Sequence, residues 1–160
     1  LPIGASLTST IRMSMSLAQN LDVQEPIDLV VAGADGTPRA SNTGDVQHDD
    51  KIVDIGIQTS ERWSAAIKEA EFVLWNGPTG IYEKGFTAGT DALAKAIVES
   101  QCRALIGGGD TVAALSKFTF DPARVFVSTG GGAMLQFLAE GTLPGVEALG
   151  HSPTGETLRR

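Results

Sequence analysis

Cysteine and histidine are scarce in these 160 residues: there is one Cys, Cys102, and there are two His, His48 and His151. A lone cysteine excludes an internal disulfide. Neither histidine stands at a ligand spacing from it, so a structural zinc is excluded too. Cys102 precedes an apolar strand and reads as a small, half-buried side chain suited to a reducing cytoplasm. Positive charge is also short, with 12 Lys and Arg against 19 Asp and Glu and a net charge of −7. Without a basic stripe, nucleic acid is not an expected partner. Long hydrophobic runs are missing as well. Gly, Ser, Thr or a charge breaks each of them short of the ~18 residues of a membrane span. The opening Leu1-Pro2-Ile3-Gly4 has no basic region and no apolar core, so it is not a secretory signal, and the missing initiator Met suggests a processed or excised piece.

Acidity leaves small phosphate ligands open. They would have to be held by backbone N–H groups, helix N-termini and a metal ion rather than by many Lys and Arg.

What the sequence does contain is an alternation of short apolar runs with helical periodicity. Leu7, Ile11, Met15, Ala18 and Leu21 recur at helical spacing. Pro26 ends that pattern, and Ile27 to Val31 reads as a strand. Gly33 to Asp50 is polar and reads as a long loop. Ile52 to Ile55 resumes regular structure, and Ser60 is placed to cap a helix carrying Trp63, Ile67 and Ala70 on one face. Phe72 to Trp75 is wholly apolar, as expected of a strand covered on both faces. A helix opening near Thr90-Asp91, a strand at Ala104 to Ile106, a short helix at Val112 to Leu115 and a strand at Val125 to Val127 follow. Ala133 to Glu140 is the last clear helix, with Gly141 as its C-terminal stop. The expected fold is α/β, a Rossmann-like three-layer domain with a parallel sheet flanked by helices, over residues 1–150, with a polar tail at 151–160.

Parallel sheets of this kind bind ligands at the carboxyl ends of their strands. Three strands there run into unusual loops: Asn76-Gly77-Pro78-Thr79-Gly80-Ile81-Tyr82-Glu83, Gly107-Gly108-Gly109-Asp110-Thr111, and Ser128-Thr129-Gly130-Gly131-Gly132-Ala133. Glycines between strand and helix let backbone N–H groups approach an anion, and the helix adds roughly half a unit of positive charge. They also serve simply to turn the chain or to pack helix on strand, and a single triplet does not choose between these. Two triplets in one small domain favour phosphate. Asp110 has two readings, a helix N-cap or a partner for Mg2+ bridging to phosphates. Glu83 is either a solvated surface acid or an acceptor for a ribose diol.

With Leu143-Pro144-Gly145-Val146-Glu147-Ala148-Leu149, these segments resemble the signatures of phosphoglycerate kinases, in that family's order and spacing. The resemblance covers Asp54 to Leu149 most clearly. It implies phosphoryl transfer between 1,3-bisphosphoglycerate and ADP, giving 3-phosphoglycerate and MgATP. It further implies that Asn76, Gly77 and Pro78 line the nucleotide pocket and Glu83 holds the ribose. Gly107, Gly108 and Gly109 would pack by the nucleotide, Asp110 would engage its Mg2+, and Thr111 its phosphates. Gly130, Gly131 and Gly132 would aim a helix N-terminus at the moving phosphoryl group.

The sequence also departs from the family. Nothing here matches its basic N-terminal domain or its Gly-Gly-Ala-Lys segment, Ile57 and Gln58 stand where it has Pro and Lys, and Met134-Leu135-Gln136 replaces its usual Ser-Leu-Glu. The expectation is therefore a nucleotide-binding part inactive alone, with the sugar acid bound only in the presence of the missing domain. Its alternative is a degenerate, non-catalytic nucleotide-binding or assembly module. A dinucleotide enzyme ranks last, because neither triplet has the Gly-x-Gly-x-x-Gly spacing.

Overall fold

A computed structural model of the chain describes residues 24–149. The helix expected on Leu7 to Leu21 and the tail from His151 lie outside the described residues. What is described divides into two compact units, one ending at Thr59 and the other beginning at Ser60.

The first unit is a small antiparallel sheet of β1 (Asp28–Ala32), β2 (Pro38–Asn42) and β3 (Lys51–Ile55), in the order β2-β1-β3. Its middle strand buries Leu29, Val31 and Ala32, and β3 adds Val53 and Ile55. The stretch read from sequence as a loop, Gly33 to Asp50, thus holds a strand and a short 3-10 turn at Thr43–Asp45. The strand was hidden because β2 is an edge of polar residues, of which only Ser41 is buried. A tight turn delivers it: Asp35 accepts a hydrogen bond from the Thr37 N–H (2.9 Å), and Gly36 takes a φ of +76°. At the far end the buried Asp50 pairs with Arg39 and accepts from the Gln47 N–H (2.8 Å), so the segment is tied down.

Helix α1 (Ile57–Glu69) starts one turn before the expected cap, Ser60. The reason is a carboxylate on a neighbouring strand. Asp28 of β1 accepts hydrogen bonds from the N–H groups of Gln58 (3.1 Å) and Thr59 (2.8 Å) and from the Thr59 hydroxyl (2.7 Å). It therefore satisfies the first orphan donors of the helix from outside it. Gly56 is required beside it, since a Cβ there would lie 2.6 Å or less from the Asp28 carboxylate atoms.

The second unit is α/β. Strands β4 (Phe72–Asn76), β5 (Arg103–Gly107) and β6 (Val125–Ser128) pair in parallel in the order β4-β5-β6. Helices α2 (Ala88–Glu99), α3 (Gly109–Ala114), α4 (Gly131–Glu140) and α5 (Pro144–Ala148) alternate with and follow them. The core of this unit combines Trp75, Ala104, Ile106 and Val125 from the strands with Leu93, Ala94, Ala96 and Ile97 of α2. Full burial of side chains such as Ile97 and Ile106 contributes about 1.5–3 kcal/mol each. Cys102, buried at the entry to β5, accepts from the Ser100 hydroxyl (3.0 Å), which fits a packing role. The other sheet face differs from expectation. Phe72, Leu74 and Phe126 are 53%, 47% and 67% exposed, so among the described residues β4 is covered on one face only. Leu74, Leu105 and Phe126 are paired in register across the three strands and make one apolar row. Helix α4 ends where the sequence says it should, at Gly141, whose φ of +73° lets its N–H reach the Phe137 carbonyl (2.8 Å).

Candidate functional site

Parallel pairing sets Asn76 level with Gly107, and Gly107 level with Ser128. The three loops singled out from sequence therefore leave one end of the sheet side by side. Asn76 is the last residue of β4, Gly107 the last of β5, and Gly130 the residue before α4.

The glycines of these loops fall into three kinds. Gly77 and Gly108 have φ of +103° and +102°, which L side chains rarely adopt. Gly107 and Gly131 are close-approach positions. A Cβ at Gly131 would lie 2.6 Å from Gly108 Cα and N and nearer still to Asn76 Oδ1, and one at Gly107 would lie 2.7 Å from Met134 Sδ. Gly109 and Gly132, by contrast, are exposed with nothing within 4 Å of a Cβ. The surrounding packing does not require glycine at these last two.

A network of hydrogen bonds joins the loops. The Gly77 N–H donates to Thr111 Oγ1 (2.8 Å) and the Trp75 indole N–H donates to the Gly77 carbonyl (2.7 Å). Gly108 N–H donates to the Ser128 carbonyl (3.1 Å), and Gly130 N–H donates to Ser128 Oγ (3.3 Å). Further along the first loop, Thr79 N–H donates to the buried Thr90 hydroxyl (3.0 Å), which anchors Pro78 and its neighbours to α2. Sequence reasoning named Trp75 and Ser128 in these segments but gave neither a role in joining the loops, and it did not foresee Met134 against Gly107.

Glu83 is exposed within a 3-10 turn, Tyr82–Lys84. Asp110 is exposed in the first turn of α3, whose cap position is Gly108, so Asp110 is not the cap residue. Burial, and after it the negative charges of Glu83 and Asp110, push the Tyr82 phenol above its ordinary pKa. Thr111, expected beside phosphates, is fully buried, and its hydroxyl accepts from the Gly77 N–H. Among the described residues no group of three or more His, Cys, Asp or Glu could hold a metal ion by itself. A single exposed carboxylate such as Asp110 fits an Mg2+ that arrives with phosphate oxygens and keeps most of its waters.

Residues 3–141 match the family model of phosphoglycerate kinase. The chain belongs to the phosphoglycerate kinase family. It is similar to the solved phosphoglycerate kinase of Coxiella burnetii, with 34% identity and a TM-score of 0.73 over 90% of this chain and 38% of that one. The phosphoglycerate kinase of Pyrococcus horikoshii OT3 matches at 28% identity and a TM-score of 0.69, over 94% and 41% respectively. The chain thus spans about two fifths of the length of these phosphoglycerate kinases. Among the described residues no helix is long and apolar enough to cross a membrane.

Proposed function

We propose that the chain is the nucleotide-binding part of a phosphoglycerate kinase, holding ADP or ATP at the carboxyl end of β4, β5 and β6. The observation that carries this reading is the level arrangement of three signature loops at one sheet end in a chain of this family. Asn76, Gly77 and Pro78 form one wall of the pocket, Gly107 to Gly109 the floor, and Glu83 receives the ribose. Gly130 to Gly132 present the N-terminus of the ten-residue α4 to the transferred phosphoryl group, where free N–H groups and the helix dipole favour negative charge. Mg2+, when bound with the nucleotide, neutralises charge on its phosphates, and Asp110 is its protein ligand.

The chain by itself is proposed to lack turnover. Phosphoryl transfer depends on positioning both substrates, a contribution of ~7–11 kcal/mol. A strongly anionic sugar acid needs a basic cluster, and 12 Lys and Arg scattered among 19 acids do not supply one. The alternative of a non-catalytic module is separated from this reading by adding the complementary domain.

Chemical-shift mapping with ADP tests the site: Gly77, Glu83, Gly109 and Thr111 should shift together. Perturbation confined to Gly33 to Asp50 would overturn the assignment. A coupled assay with 3-phosphoglycerate and MgATP should show no activity from the purified chain. Turnover that co-purifies with it and is lost in Gly131→Val would refute the second claim.

A further inference from the structure

We infer that Met134 is a positioning residue: its thioether fills the space that Gly107 leaves open at the end of β5 and so seats the first turn of α4, whose N–H groups face the transferred phosphoryl group. The last clause rests on the nucleotide reading above.

Gly107 is buried and its φ is not positive, so its backbone does not call for glycine. The neighbour does. A Cβ there would lie 2.7 Å from Met134 Sδ and nearer still to Met134 Cε, with Asn76 Oδ1 3.3 Å away. The tip of Met134 therefore stands where a side chain of β5 would otherwise stand. An unbranched thioether is suited to fill such an irregular gap. Gly131 and Met134 are three residues apart and share one face of α4. Gly131 packs against the Gly108 backbone, which sets how near the helix comes. Met134 reaches Gly107, which limits sliding and rotation of the helix over the strand end. Little else secures this turn among the described residues: Gly131 is the only buried residue of α4, and Leu135, Phe137 and Leu138 are exposed. The Met134 N–H donates to the Gly130 carbonyl (2.8 Å), so a displacement of Met134 passes into the turn that carries the free N–H groups.

The test uses the 160-residue chain with Met134→Ala, which empties the space, and Met134→Leu, which refills it. Titration calorimetry should show Mg·ATP affinity lowered by roughly tenfold in Met134→Ala, the worth of one hydrogen bond to a charged group. Mg·ADP affinity should change much less, because only ATP carries the group that meets α4. Met134→Leu should restore most of the ATP affinity. Equal losses for the two nucleotides would overturn the inference, since a merely structural residue weakens both alike. So would a Leu variant as weak as Ala. A size exchange tests the seat itself: Gly107→Ala should lower the unfolding midpoint in the unmodified background and cost less alongside Met134→Ala, where the space is vacant. Costs that simply add would overturn the packing claim. If Met134→Ala does not fold, methyl-labelled methionine in the unmodified chain decides. A nuclear Overhauser contact between the Met134 methyl and the Gly107 α protons supports the seat, and its absence refutes it. If the unmodified chain binds neither nucleotide, the proposed function fails, while the size exchange and the methyl contact still decide whether Met134 seats α4.

Discussion

Two adjacent glycines at the start of α4 should respond in opposite directions to the same methyl group. At Gly131 the new Cβ falls 2.6 Å from Gly108 Cα and N, and closer to Asn76 Oδ1. Gly108 cannot step aside freely, because its N–H is bonded to the Ser128 carbonyl and its φ is +102°. Forcing a methyl group into such packing costs about 1–3 kcal/mol. The Gly-to-Ala gain in helix propensity, at most about 1 kcal/mol, offsets only part of it. A net loss of about 0.5–2 kcal/mol is expected for Gly131→Ala. At Gly132 nothing lies within 4 Å of a Cβ, so the helix gain is unopposed. Gly132→Ala should leave stability unchanged or raise it by up to about 1 kcal/mol. The gap between the two variants, about 1–3 kcal/mol, corresponds to a melting difference of several degrees. Urea and thermal unfolding followed by circular dichroism measure it. If Gly132 is open because a phosphate approaches there, Gly132→Ala should nonetheless weaken ADP binding despite its stability. Equal unfolding midpoints for the two variants would refute the close-packing argument, whatever the ligand does.

The Asp28 carboxyl is held below its ordinary pKa: burial acts to raise it, but the hydrogen bonds from the Thr59 hydroxyl and the Thr59 and Gln58 N–H groups together prevail. A depressed folded-state pKa stabilises the fold above the unfolded value near 4, and that stability is lost as pH falls through the folded value. Asp28→Asn should therefore cost about 1–2 kcal/mol at neutral pH, since one amide NH2 then faces a helix N–H donor. It should also flatten the acid limb of a stability-versus-pH curve measured between pH 7 and 2. An acid limb as steep as that of the unmodified chain would refute the assignment. For Asp110→Asn, titration calorimetry with and without magnesium should show Mg·ADP binding weakened much more than binding of free ADP. Equal losses in the two titrations would remove Asp110 as the metal partner.

The parallel sheet and its three loops were legible because apolar runs give way within one to three residues to glycine, a pattern set by local backbone chemistry. Of the antiparallel sheet, β1 and β3 were legible and β2 was not. Pro38 to Asn42 has no apolar alternation, and an edge strand that buries only Ser41 leaves no periodic trace. The start of α1 was misplaced for a related reason: its cap, Asp28, lies some 30 residues away in sequence, and no local rule finds it. Within the candidate site, residue types signalled the loops but not the division of labour among the glycines. Gly131 and Gly132 look identical as letters, and only the approach of Gly108 and Asn76 separates them. Thr111 likewise carries a hydroxyl suited to a phosphate, and the direction it points depends on a strand end 34 residues earlier.

The bond from the Trp75 indole to Gly77 also gives the chain an optical reporter of its own. Trp75 is nearly buried, at 9% exposure, yet its one polar atom is bonded to the loop rather than to the core. An indole held in that way emits according to the hydrogen bond it makes and the water it meets, so breaking its bond to the Gly77 carbonyl should change its fluorescence. Trp63, on α1, is the only other tryptophan in the sequence, and replacing it with Phe leaves a single emitter beside the loop. The residue that closes the core of the second unit thereby turns the state of the loop into light, with no label attached.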